Sequence, residues 1–158
     1  MTHALIPGSF DPMTLGHLDI IKRAKAHYDK VSVAVLINES KKYLFSLEER
    51  TQIARLTLKD MPEVEVVCDT GLLVDLFDRV GADVIVKGVR NEKDRAYEEE
   101  MAAANLARNP KAKTVFMQAA DDYEELSSTR VREMLKNGEP LEEVVASAAI
   151  PYLLSKLG

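Results

Sequence analysis

The residues with capacity for chemistry gather in two turns. Pro7-Gly8-Ser9-Phe10-Asp11-Pro12-Met13-Thr14-Leu15-Gly16-His17 follows the apolar run Ala4-Leu5-Ile6, and Leu126-Ser127-Ser128-Thr129-Arg130-Val131-Arg132 opens a late helix. Each places glycine, hydroxyl or cationic groups at a helix mouth, where backbone N–H groups point outward and the dipole favours anions. Gly8 lets backbone come close to a ligand, and Ser9 adds a hydroxyl beside it. Thr14 has the side chain of an N-cap, which puts His17 in the first helical turn. There an imidazole can donate to a phosphate oxygen. An isolated histidine is most often a cap or a solvated group, but Gly16 and the glycine–hydroxyl turn upstream tip His17 toward a ligand. His3 and His27 lack such surroundings and read as structural or surface groups. Two such turns in one short chain describe a site that grips a polyphosphate from both ends.

Other loops carry charge in places worth weighing. Lys41 and Lys42 follow Asn38-Glu39-Ser40; such a pair, taken alone, is ordinarily a solvated feature. Lys87-Gly88-Val89-Arg90 is more telling, because two cations flank a glycine directly after the apolar run Val84-Ile85-Val86. Glu98, Glu99 and Glu100 lie on the next helix, where most carboxylates face solvent. Leu72 and Leu73 read by type as core residues.

The elements that must position these groups alternate regularly. Strand-like runs occur at Ala4–Ile6, Val31–Ile37, Val64–Val67, Val84–Val86 and Thr114–Met117. Helical patterns occupy Gly16–Tyr28, Leu47–Asp60, Leu72–Val80 and Lys93–Ala107. Leu18, Ile21, Ala24 and Tyr28 follow helical spacing. Ser46-Leu47-Glu48-Glu49 is a capping box, Gly81 stops the third helix and Pro110 follows the fourth. Beyond Ser128 the pattern is helical: Val131–Lys136, a short helix after Pro140, then Tyr152–Leu157. Short β-branched runs alternating with helices predict an α/β domain, one doubly wound parallel five-stranded sheet with C-terminal helices, spanning residues 1–158. In such sheets ligands bind beyond the carboxyl ends of the strands, at the switch point. The loops at 7–17, 38–43, 69–73, 87–90 and 118–130 are all predicted to converge there.

Bulk properties narrow the classes. With 158 residues, 46% hydrophobic and 30% charged, the chain fits a globular domain with a well-buried core. A formal net charge of −5 argues against a nucleic-acid coat or an anionic-membrane binder, so an anionic ligand needs a local basic focus. The lone Cys68 rules out an internal disulfide framework and fits a reducing cytoplasm. No apolar run approaches the ~20 residues of a membrane span, and the N-terminal residues do not read as a signal peptide. There is no G-x-G-x-x-G, no G-x-x-x-x-G-K-[ST], no H-E-x-x-H, no C-x-x-C and no G-x-S-x-G, which disfavours dinucleotide oxidoreductases, Walker ATPases and the common hydrolases. Metal-ligand spacings are absent. Any Mg²⁺ is expected to be held mainly through substrate phosphates.

Thr14-x-Gly16-His17 together with Ser127-Ser128-Thr129-x-Val131-Arg132 resembles the nucleotidylyltransferase superfamily, whose fold is Rossmann-like. Most members carry histidine where Thr14 stands. The threonine form, with Pro7 to Pro12, Ser40-Lys41-Lys42, Leu47-Glu48-Glu49-Arg50 and Lys87-Gly88-Val89-Arg90, is similar to the bacterial phosphopantetheine adenylyltransferase family. The resemblance implies ATP and 4′-phosphopantetheine as substrates, dephospho-coenzyme A and pyrophosphate as products, and a homohexamer. It implies that His17, with Lys41 and Arg90, stabilises the transition state. Ser9, Phe10, Gly88, Val89, Arg90, Glu98 and the stretch Tyr123, Glu124, Glu125, Leu126, Ser127, Ser128 and Thr129 would contact ATP. Ser9, Lys41, Leu73 and Lys87 would meet phosphopantetheine.

Three positions depart from the family's pattern. Lys87 stands where arginine is usual, keeping the charge but losing the bidentate fork. Glu124 and Glu125 replace a small polar and an aromatic residue, and are expected to point away from phosphates. Two other readings stay open on the sequence: a sibling enzyme using another phosphorylated acceptor, such as nicotinamide mononucleotide or glycerol 3-phosphate, and a non-catalytic nucleotide-binding protein.

Overall fold

The computed structural model describes residues 2–38 and 40–157; Met1, Glu39 (named above with its loop) and Gly158 lie outside the described residues. Five strands, β1 (His3–Gly8), β2 (Lys30–Leu36), β3 (Glu65–Asp69), β4 (Val84–Val89) and β5 (Thr114–Gln118), form one sheet in the order β3-β2-β1-β4-β5. All pairings are parallel, with Ile6 opposite Val33 and Leu5 opposite Ile85. The helices are α1 (Leu15–His27), α2 (Leu47–Thr57), α3 (Leu73–Val80), α4 (Glu92–Arg108), α5 (Ser128–Lys136) and α6 (Ile150–Leu157). The predicted α/β doubly wound sheet is therefore present. Chain order reverses between β1 and β4, which makes that seam the switch point.

Alternation along the strands explains why both sheet faces are covered. Ala4, Ile6, Val33, Val35 and Val86 point to one face and pack with Ile20, Ile21 and Ala24 of α1 and Ala54 of α2. Leu5, Ala34 and Ile85 point to the other and pack with Val74, Leu76 and Phe77 of α3. A strand buried on both faces must be apolar throughout, and burying each such aliphatic side chain contributes about 1.5–3 kcal/mol. A third cluster seals the C-terminal helices onto α2 through Ile53, Val131, Leu135 and Leu153.

Caps set the helix starts as the sequence suggested. Ser46 Oγ accepts from the Glu49 N–H at 3.1 Å, and the Glu49 carboxylate accepts from the Ser46 N–H at 2.9 Å. Gly81, at φ 73°, ends α3 in the left-handed conformation. The short helix expected after Pro140 is not formed; residues 142–144 make turns, followed by a 3₁₀ turn at Ser147–Ala149. Leu141, Val145 and Ala149 still bury at four-residue spacing. However, the Val144 carbonyl accepts from the Leu15 N–H at 2.9 Å, so it serves the first turn of α1 instead of extending its own helix.

Candidate active site

A crevice of about 540 Å³ opens beyond the carboxyl ends of β1 and β4. Helix α1 supplies its central group. Thr14 is the N-cap, at φ −110° and ψ 173°, and its Oγ1 accepts from the His17 N–H at 3.3 Å. The Thr14 N–H in turn donates to His17 Nδ1 at 2.9 Å, a capping box with imidazole in place of the usual carboxylate. Because Nδ1 accepts, the ring proton sits on Nε2 in the neutral form. Phe10 meets the imidazole edge-on, with centroids 5.0 Å apart.

His17 is half-buried: its ring is enclosed by neighbouring atoms yet still lines the crevice. Burial, reinforced by the positive charges of Lys87 and Arg90, pushes its pKa down from 6.5 to about 4. The ring is therefore a neutral N–H donor at pH 7. The fold favours this neutral form, so its contribution to stability is complete above pH 6.5 and is lost as pH falls toward 4. Urea unfolding at pH 7 and pH 4.5 should show His17→Gln losing less stability over that interval than the natural protein, by at most about 3 kcal/mol.

Cations enter the crevice from two segments. Lys41 and Lys42, with Tyr43, come from the loop after β2. The Tyr43 hydroxyl accepts from the Asn38 N–H at 2.6 Å and stands 3.5 Å from Ser9 Oγ, pinning that loop beside the first turn. Lys87 and Arg90 come from β4 and its end. Lys87 Nζ lies 3.5 Å from a Glu98 oxygen and donates to the Pro7 carbonyl at 3.4 Å. Asp94 accepts from the Arg90 N–H at 3.0 Å, which holds the chain where it leaves β4. Gly88 is required by packing, since a Cβ there would stand 2.8 Å from Ile20 Cγ1 of α1.

The far wall is the mouth of α5. Ser127 caps the helix, its Oγ accepting from the Arg130 N–H at 3.1 Å. Ser128 Oγ donates to the Pro12 carbonyl at 2.8 Å, and Arg132 Nη1 donates to the Asp11 carbonyl at 2.7 Å. The two turns singled out by sequence are thus bonded directly to each other. Asp11 adds a further tie, accepting from the Leu44 and Phe45 N–H groups at 2.8 and 3.0 Å.

A cytidylyltransferase-like family model matches residues 5–134. The phosphopantetheine adenylyltransferase of Caldanaerobacter subterraneus subsp. tengcongensis is 43% identical over 156 residues, covering 99% of this chain and 98% of that protein. The one from Clostridium tetani is 44% identical with the same coverage, and that of Flavobacterium psychrophilum is 42% identical over 94% of this chain and 97% of its own. This chain belongs to the phosphopantetheine adenylyltransferase family.

Set against the residues that family resemblance singles out, the crevice collects most of them. Ser9, Phe10, His17, Lys41, Lys87 and Gly88 line it, as do Arg90, Glu98, Tyr123, Leu126 and Ser127 to Thr129. Val89 does not; its side chain is wholly buried in the core. Glu124 and Glu125 are exposed and stand outside the lining, in keeping with carboxylates that avoid phosphates. The 69–73 loop does not join the others, and Leu73 is outside the lining too. β3 is the sheet edge, two strands from the seam, and its loop folds on itself: Thr70 and Gly71 N–H groups donate to the Asp69 carboxylate. Leu73 packs instead against the α3 face of the sheet.

Sequence reasoning gave no role to Asp11, Tyr43, Asp94 or Arg132, all of which line the crevice. Of these, Asp11 and Arg132 carried a signal, through their places in the first turn and in the late Ser-Ser-Thr segment.

Proposed function

We propose that this protein transfers the adenylyl group of ATP to 4′-phosphopantetheine, releasing pyrophosphate and forming dephospho-coenzyme A, a step of coenzyme A synthesis. The observation that carries the reading is a neutral imidazole donor at the switch point, flanked by lysines on one side and a hydroxyl-rich helix mouth on the other. An oxygen of the acceptor's phosphate attacks the α-phosphorus, and the bond from that phosphorus to the bridging oxygen breaks as pyrophosphate leaves. The nucleophile is already anionic, so the protein need supply neither nucleophile nor strong base. His17 Nε2–H donates to the charge developing on the α-phosphate. Lys41 and Lys87 hold the acceptor phosphate, while Arg90, Ser127, Ser128 and Thr129 hold ATP. Catalysis is then positioning plus preorganised charge, as in phosphoryl transfer generally.

The crevice carboxylates fit magnesium carried by ATP itself. Asp11 is engaged by amides, Asp94 by Arg90 and Glu98 by Lys87, so Mg²⁺ would ride on the phosphates, shielding their charge. The resting ion pair also supports a distinct role for Lys87. Its ammonium is shared with Glu98 and the Pro7 carbonyl, and an incoming phosphate replaces part of that shell.

Lys41→Ala tests the acceptor side. The KM for 4′-phosphopantetheine should rise by about tenfold or more, as for loss of a charge-assisted contact, with the KM for ATP little changed in initial-rate measurements. An unchanged acceptor KM would remove Lys41 from this role.

The reading extends to assembly and location. α4 buries none of its residues, and Tyr97, Met101 and Leu106 are exposed on it, near half their surface in the case of Tyr97 (52%). Those uncovered apolar residues support a homo-oligomer, the hexamer of the family resemblance, which sedimentation would test. ATP use and the single exposed thiol of Cys68 support a cytoplasmic place. Among the described residues no helix is long and apolar enough to cross a membrane.

A further inference from the structure

One arginine lies outside the crevice yet touches the backbone of three segments that shape it. Arg50, in the first turns of α2, is only 1% exposed. Its Nε donates to the Phe45 carbonyl at 3.1 Å, and its Nη1 donates to the carbonyls of Ser9 at 2.7 Å and Leu36 at 2.8 Å. The guanidinium stacks on the Tyr43 ring, 3.9 Å from its centroid. One planar group thereby joins the turn after β1, the end of β2 and the entry to α2. A guanidinium can do this because its donors are rigidly splayed; an ammonium cannot hold the same set.

The bond to Ser9 has a directional consequence. The Ser9–Phe10 peptide is trans and planar, so its carbonyl and its N–H lie on opposite edges. Arg50 takes the carbonyl, which turns the Phe10 N–H away from the core and toward the crevice that Ser9 and Phe10 line. Among the described residues nothing accepts from that N–H. Phe10 is also held at φ 48°, a left-handed conformation that costs a non-glycine residue about 1–3 kcal/mol and persists only where surrounding contacts impose it. The ring that completes this turn packs over Gly8, where a Cβ would stand 2.8 Å from Phe10 Cζ.

We propose that Arg50 is a positioning residue for adenylyl transfer: by gripping the Ser9 carbonyl it aims the Phe10 N–H at a phosphate oxygen of ATP. This rests on the adenylyl-transfer reading above. Arg50 also brackets the loop bearing Lys41, through the Leu36 and Phe45 carbonyls and the Tyr43 ring, so the response of the Phe10 amide to ATP is what singles out the nucleotide side.

The test is Arg50→Lys, which keeps the charge and loses the fork. With folding checked by circular dichroism, kcat should fall about 10–10²-fold, the scale of a misplaced reacting group. The KM for ATP should rise. In ¹⁵N-resolved NMR, saturating ATP should shift the Phe10 amide of the natural protein strongly, and that of Arg50→Lys much less. A folded Arg50→Lys enzyme with undiminished kcat overturns the proposal. So does a natural-protein Phe10 amide unmoved by ATP while other crevice amides respond, a result that decides the matter even if the variant does not fold. Failure of the natural protein to release pyrophosphate with 4′-phosphopantetheine would instead strike the functional reading.

Discussion

Replacing His17 with alanine should lower turnover by ~10²–10³, the usual cost of removing one preorganised donor from a developing oxyanion. Several features aim this imidazole at a single task. The Thr14 N–H occupies Nδ1 at 2.9 Å, so the ring cannot rotate freely and its proton is confined to Nε2. Burial, reinforced by Lys87 and Arg90, keeps it neutral, which leaves the positive charge on the flexible cations that hold phosphate. The substitution also leaves the Thr14 N–H without its acceptor, a loss of about 1 kcal/mol. His17→Asn separates the two effects. Its amide oxygen can take the Thr14 N–H and restore the cap, but its amide group does not reach where Nε2 stood. Thermal unfolding should therefore recover in the asparagine variant while kcat stays low. Recovery of both would mean that His17 serves only as a cap.

The second large effect is expected at Asp11, 3% exposed beneath the crevice. Its carboxylate accepts from the Leu44 and Phe45 N–H groups and stands 3.8 Å from Arg132 Nη1. In Asp11→Ala the buried Phe45 N–H loses its partner and Arg132 loses a counter-charge. Unsatisfied buried donors and a broken network cost about 2–4 kcal/mol together. For a domain of this size that lowers the melting temperature by roughly 5–12 °C. Activity should fall further than stability alone explains, because the loop bearing Lys41 and Tyr43 leads directly into these two amides. Asp11→Asn, keeping one acceptor, should lie between. A melting temperature within a degree of the natural protein would show that the amides find other partners.

These two residues differ in how visible they were. His17 stood out in the sequence because its neighbours are local: Thr14, Gly16 and the Gly8–Ser9 turn lie within ten residues of it. The strands were legible for a similar reason, since a sheet covered on both faces demands unbroken β-branched runs, and Ser46 and Gly81 marked helix ends by local chemistry. Asp11, Arg50 and Arg132 act on backbone groups far along the chain. Arg50 meets the Ser9 carbonyl across 41 residues and Arg132 the Asp11 carbonyl across 121, and no spacing rule encodes such contacts. The 69–73 loop lies outside the crevice lining for a topological reason. Its sequence places it after a strand, but only strand order tells that β3 is at the sheet edge, away from the seam. Residues 141–149 misled because their burial spacing is helical while the Val144 carbonyl is claimed by α1.

The decisive measurement is pyrophosphate release from ATP and Mg²⁺ with 4′-phosphopantetheine, run beside nicotinamide mononucleotide and glycerol 3-phosphate. Release with 4′-phosphopantetheine alone is the expected result. Release with another acceptor, or ATP binding with no release at all, would contradict it.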